Sequence, residues 1–199
     1  MKPTKEDCQP LPSLKRNNYF YGKLLTAEDF RTEQEYLINK QRLINRLVHG
    51  SGIVCGLEVT RGISESVIQV SEGFTLDGLG REVVLNNRLA IDLNQKINPK
   101  EVGRKRDLFV TIRYFETKVD PVPKIGESEK EFNMILEGAK VDVDLVLPDP
   151  FSKDTLFLAK VTAKTRRKKI CVEKVEDSAT VNDSTLTRAV IRKKELIKQ

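Results

Sequence analysis

The chain has 199 residues, 39% hydrophobic and 32% charged, with a formal net charge of +6. That is apolar material enough for one buried core, while no apolar run nears the roughly 18 residues of a membrane span. The lack of tryptophan, the 6% aromatic content, three scattered cysteines (Cys8, Cys55, Cys171) and a single histidine, His49, argue against a sugar- or base-stacking platform and against a paired-ligand zinc site, so no metal or cofactor is expected.

Residues 1–17, with Pro3, Pro10 and Pro12, read as an extended polar arm. They lack the apolar stretch of a secretory signal, which predicts synthesis in the cytoplasm. Residues 18–178 read as a single helix-plus-β domain. Within it Thr26, followed three residues on by Asp29, is an N-cap with a capping box that uses Asp for Glu. Glu28 and Asp29 place negative charge at the positive end of the helix dipole. From there Phe30, Leu37, Ile44 and Val48, broadened by Tyr36, Leu43 and Leu47, form an apolar stripe. Arg31, Glu35, Lys40, Arg42 and Arg46 take the other face. His49 lies in the last turn and Gly50 ends the helix.

After Gly50 the hydrophobic period falls from 3.6 to about 2. "GIVCGLEV", "SVIQV", "EGFTLD", "REVVL" and "RLAIDL" are short strands, with Asp77-Gly78-Leu79-Gly80 as a hairpin loop. "DLFVTIRYFE", "KVDVDLVLP", "DTLFLAKVTA" and "KKICVEKVE" supply the later ones. Residues 117–134, with two prolines, read as a long connection, and a loop of that length usually has a job. Helical spacing returns at Leu186, Val190, Leu196 and Ile197, which predicts a short basic helix over 179–199. Strands in succession rather than alternation with helices point to an α+β, mainly β fold: an antiparallel β-sandwich or partly closed barrel, with the long N-terminal amphipathic helix packed against it and a short C-terminal helix.

Three candidate chemistries are weighed along this chain. His49 with Ser51 or Asp77 would make a small hydrolase, but a histidine in the last turn of a helix is already accounted for by the dipole. "KTRRKK" at 164–169 could contact phosphate, yet it equally suits a basic turn between strands, and no nucleic-acid-binding signature accompanies it. Asp142 and Asp144 alternate with valines and read as the polar face of a strand. No enzymatic activity is expected. A peripheral ligand- or glycan-binding β module remains as an alternative and predicts a concave pocket on the sheet with convergent polar groups.

The ordered block Tyr19-Phe20-Tyr21-Gly22-Lys23-Leu24-Leu25-Thr26, Asp29-Phe30, Asn45-Arg46-Leu47, His49-Gly50, Gly52, Val54-Cys55-Gly56-Leu57-Glu58-Val59, Gly73, Asp77 and Gly80-Arg81-Glu82 resembles a family of small bacterial proteins. Its pattern runs YFYGKLLTxxDF, NRLLHGxGxVCGLEV and GxAxDxxGREIVV. The resemblance covers residues 18–93, departing at Ser51, where a large aromatic is common, and in Phe74-Thr75-Leu76. It implies a structural component of a phage-tail-like contractile injection system, among baseplate or tail subunits, in a particle released or retained by the cell. The expected partners are other tail or baseplate subunits and further copies of the chain in a symmetric assembly, not nucleic acid. Tyr19, Phe20, Tyr21, Arg42, Arg46 and His49 are the expected interface residues, with the arm 1–17, the helix face and residues 117–134 as contact elements.

Overall fold

A computed structural model describes residues 11, 13–123, 130–149 and 152–177. Most of the arm and the helix expected at 179–199 lie outside the described residues. The first element is α1 (Ala27–Ile44), continued by a five-residue π-helical turn, Asn45–His49. Six short strands follow: β1 (Gly52–Gly56), β2 (Val59–Arg61), β3 (Val67–Val70), β4 (Gly73–Leu76), β5 (Glu82–Leu85) and β6 (Leu89–Asp92). Two single-turn helices, α2 (Leu93–Lys96) and α3 (Pro99–Val102), lead to four longer strands. These are β7 (Arg106–Pro123), β8 (Lys130–Asp144), β9 (Thr155–Arg166) and β10 (Lys169–Asp177).

The strands form three sheets in the orders β1-β4-β5, β2-β3-β6 and β10-β9-β7-β8, with every pairing antiparallel. The fold is mainly β, with a curled half-barrel sheet, as the succession of strands predicts. Period-2 alternation explains the core. Leu108, Val110 and Ile112 of β7 are fully buried, as are Ala159, Val161 and Ala163 of β9 and Ile68 and Val70 of β3. Val141 and Val143 turn inward while Asp144 faces solvent. The basic run at 164–169 is a hairpin turn: Arg166 pairs with Lys169, and Arg167 and Lys168 between them both have positive φ. That is the backbone of a two-residue primed turn, whose twist matches the flanking strands.

Four expectations need correction. "GIVCGLEV" is not one strand. Gly56 (φ 61°) and Leu57 (φ 60°) turn the chain out of the β1 sheet and into the β2 sheet. A β-carbon on Gly56 would stand 2.0 Å from the Glu72 carbonyl oxygen, so only glycine fits there. The left-handed backbone at Leu57 costs about 1–2 kcal/mol, which burying its side chain completely offsets at about 1.5–3 kcal/mol. Second, "KVDVDLVLP" stops pairing at Asp144, and its strand begins far earlier, at Lys130. Third, residues 117–134 are not a long loop. Thr117–Pro123 and Lys130–Met134 are the outer part of a β7–β8 ribbon in unbroken register, and 124–129 lie outside the described residues. The prolines mislead because Pro121 and Pro123 lie where β7 pairs with β8 alone. An edge tolerates a residue that cannot donate to the ladder.

The fourth correction concerns the helix. It forms where predicted but does not lay its stripe on the sheet. No residue of α1 is buried, and Phe30, Leu37, Ile44 and Val48 are all exposed. Amphipathic spacing shows that a helix has a face to cover; it does not say what covers it.

Candidate protein interface

The arm turn at the front of α1 is built by the motif residues themselves. Gly22 (φ 85°) allows a tight turn in which the Lys23 amide donates to the Phe20 carbonyl at 3.1 Å. Lys23 Nζ then reaches Asp29 at 2.8 Å and Asn17 Oδ1 at 3.3 Å, and lies 5.4 Å from the centre of the Tyr19 ring. The Asn17 side-chain amide donates to the Asp29 carbonyl. The capping box is present: Thr26 N and Oγ1 donate to Asp29 Oδ2 at 2.9 and 2.7 Å, and the Asp29 amide donates back to Thr26 Oγ1 at 3.3 Å. The result is a pinned turn that holds Tyr19, Phe20 and Tyr21 out in solvent, 55%, 65% and fully exposed. Leu24 and Leu25 beside them are exposed as well.

Lys23, followed by the Thr26 hydroxyl and amide, holds the Asp29 carboxyl far below the usual carboxylate range. A depressed folded-state pKa stabilises above the unfolded value, about 3.9, and that contribution is lost as pH falls below it. The first turn of α1 is therefore expected to keep its amide protection between pH 7 and pH 5 and to fray below about pH 4. Asp29→Asn should fray it already at neutral pH, and hydrogen exchange of residues 27–30 checks both outcomes.

The other end of α1 is seated on the β4–β5 hairpin. Asn45 is buried; its Nδ2 donates to the Gly80 carbonyl at 3.0 Å and to Glu82 Oε1 at 3.2 Å, while its Oδ1 accepts from Gln41 Nε2 at 3.1 Å. Asp77 is wholly buried inside the hairpin loop. Its Oδ1 accepts from the amides of Leu79 (2.9 Å) and Arg81 (2.8 Å), and its Oδ2 pairs with Arg81 Nε at 2.6 Å. The Arg81 guanidinium in turn lies over the Tyr114 ring at 5.0 Å, with that of Arg42 at 5.8 Å. Burial raises the Tyr114 hydroxyl well above its ordinary pKa, helped by hydrogen bonds to Glu116 and Glu137, so it stays protonated and donates to Glu116 Oε1 at 2.7 Å.

A concavity of about 360 Å³ opens beside this joint, between Leu37, Ile38 and Arg42 of the helix and Arg81, Tyr114 and Glu137 of the β-structure. Of the expected interface residues, Tyr19, Phe20, Tyr21 and His49 are exposed, whereas Arg42 and Arg46 are half-buried. The structure does not gather them into one patch. The aromatics belong to the arm turn at one end of α1, and Arg42, Arg46 and His49 to the joint at the other. Both oxygens of Asp77 are engaged by Arg81 and the loop amides, and His49 stands at the solvent-facing end of the π turn, where the Gly50 amide closes onto the Asn45 carbonyl at 2.9 Å. Among the described residues no cluster of three or more His, Cys, Asp or Glu could hold a metal, and no helix is long and apolar enough to cross a membrane. The roles of Asn45 and Tyr114 escaped the sequence reading. Asn45 carried a signal, an amide at a helix end among apolar neighbours; Tyr114 looked like any strand aromatic.

No protein-family model matches the chain, and no curated protein matches it in sequence. Solved structures do match in outline. One is a chain of the type VI secretion system TssK-TssF-TssG baseplate subcomplex, with 11% identity and a TM-score of 0.49 over 83% of this chain and 62% of that one. A second, from the baseplate complex of the type VI secretion system, has 11% identity and a TM-score of 0.40 over 81% and 58%. A crystal structure of TssK has 12% identity and a TM-score of 0.43 over 81% and 41%. These structural neighbours are type VI secretion baseplate proteins, and this chain spans less than two thirds of each.

Proposed function

We propose that the chain is a non-enzymatic structural subunit of a contractile, phage-tail-like injection particle, a baseplate or tail component that works through contacts with other subunits and is assembled in the cytoplasm. The observation that carries this reading is how the motif residues are used. Asn45, Asp77, Gly80, Arg81 and Glu82 are spent on fastening a helix to a hairpin. Gly22, Lys23, Thr26 and Asp29 are spent on pinning a turn that holds three aromatic side chains in water. Aromatic anchors held rigidly by a built scaffold suit recognition of another protein, because little side-chain entropy is lost when they dock.

The test is electron microscopy of particles from cells lacking the chain, which are expected to be incomplete. The wild type should restore them, and a Tyr19→Ala/Phe20→Ala/Tyr21→Ala variant should not. Particles unchanged by the deletion would end the proposal.

The concavity beside Tyr114 favours one second reading, a peripheral ligand- or glycan-binding module, since polar groups converge on its partly apolar wall. Titration with surface polysaccharide should then shift the NMR signals of Arg81 and Glu137, and unmoved signals remove that reading.

A further inference from the structure

Among the described residues nothing covers the apolar stripe of α1. Phe30, Leu37 and Ile44 recur every seven residues and are 57%, 58% and 39% exposed. A helix of this length is marginal in water without a packed face. A spacing of seven keeps one stripe facing a partner helix along its whole length. Ile38 is spent elsewhere: it lines the concavity beside Tyr114, with Leu37 at the rim.

The spacing alone names no occupant, but the residues beside the stripe do. At about 100° per residue, Glu33 and Lys40 stand about 40–60° to one side of Leu37, and Gln34 and Gln41 as far to the other. Glu28, Glu35 and Arg42 project from the far side of the helix, Arg42 onto Tyr114, and take no part. The face is therefore complementary to itself about Leu37. A two-fold axis there lays a second α1 antiparallel on the first, with its Ile44 level with Phe30. Its Lys40 then comes within about 1.5 Å of the level of Glu33. In such a pair each flank meets the same flank of the other helix. Glu33 and Lys40 thus form two ion pairs across the contact, and Gln34 meets the second copy's Gln41. A parallel pair would instead set the charged flank against the glutamines. Among the described residues neither Glu33 nor Lys40 is in an ion pair, and Glu33 Oε2 makes no hydrogen bond. Each β-structure joins its helix at the Asn45 end, so antiparallel pairing holds the two β-structures at opposite ends of the helix pair.

We infer that α1 docks on α1 of a second copy of the chain, antiparallel, about a two-fold axis at Leu37. Such an isologous contact uses one patch on both copies and closes at the dimer. The inference rests on the helix face and not on the particle reading; either can fail alone.

Sedimentation of the full chain tests it. The wild type should pass from monomer to dimer as concentration rises. Leu37→Glu sets two carboxylates at the axis and should weaken the dimer roughly thirtyfold, as for a central interface residue. Lys40→Glu turns both ion pairs into repulsions and should weaken it roughly tenfold. Adding Glu33→Lys to the same chain should restore it, which a merely structural role for Lys40 would not allow. A monomeric wild type, a dimer indifferent to Leu37→Glu, or an exchanged chain no tighter than Lys40→Glu would each overturn the inference. Crosslinking tests the direction. With the native cysteines replaced by serine, F30C and I44C chains should crosslink to each other in a mixture. Crosslinks confined to 30–30 and 44–44 pairs would mean parallel helices and overturn it.

Discussion

Asp77→Ala is expected to destabilise the chain by about 3–5 kcal/mol, the cost of breaking a buried ion pair from one side. The carboxylate is fully buried and serves three donors, two of them backbone amides of its own loop. Removing it leaves the amides of Leu79 and Arg81 without their acceptor and strands a guanidinium that is itself only 21% exposed. Arg81 is also the group that lies over Tyr114, so the damage should reach β7. Asp77→Asn is the sharper variant. Its carbonyl can still serve the loop amides, but its NH₂ would face the Arg81 Nε–H, donor against donor, so it should recover only part of the loss. Urea unfolding measures both, with His49→Ala as the surface comparison, expected within about 0.5 kcal/mol of wild type. A wild-type midpoint for Asp77→Ala would show that the loop does not depend on this pair.

Gly80→Ala is the second large effect, and it should be local. Gly80 has φ 81°, and a β-carbon there would stand 2.1 Å from the Arg42 carbonyl oxygen. The oxygen belongs to the backbone and the β-carbon is fixed by it, so no side-chain rotation relieves the overlap. The left-handed backbone adds about 1–2 kcal/mol for any residue but glycine, and the overpacking about 1–3 kcal/mol more. The Gly80 carbonyl is also the acceptor for Asn45, so shifting it loosens the helix seat twice over. α1 buries none of its residues and has little else to hold it. The expected result is faster hydrogen exchange along α1 and the π turn, with protection in β7 and β9 unchanged. Uniform loss of protection across the chain would instead mean that helix and β-structure unfold as one unit.

The aromatic turn shows how much of the candidate interface was legible. Thr26 and Asp29, three residues apart, announce a cap, and the structure builds it from those residues, whereas the tight turn at Gly22 emerged only in the structure. The Asp77–Gly80 loop was legible in the same way, though the reason for Gly80 was not. Its close neighbour, Arg42, is 38 residues earlier in the chain, and no local pattern encodes such an approach. Residues 117–134 went the other way. Their prolines and charges argue for a loop, yet Thr117–Pro123 and Lys130–Met134 extend the ribbon. Prolines argue against a strand most strongly where both edges are paired, and here one edge is open.

By itself the sequence determined the kinds of element but not all their limits: a capped helix from Thr26 to Gly50, and strands where apolar residues alternate, several of which begin or end elsewhere than the pattern suggests. Those properties depend on φ, on side-chain period and on hydrogen bonds within a few residues. Only the tertiary structure decided that the helix stands on a hairpin by its C-terminal end, that Asp77 is buried under Arg81, and that two long strands run out past the sheet. Each of these is a pairing between distant segments, selected by shape and by the cost of leaving a polar group unpartnered, and a repeating pattern along one segment carries no record of its partner.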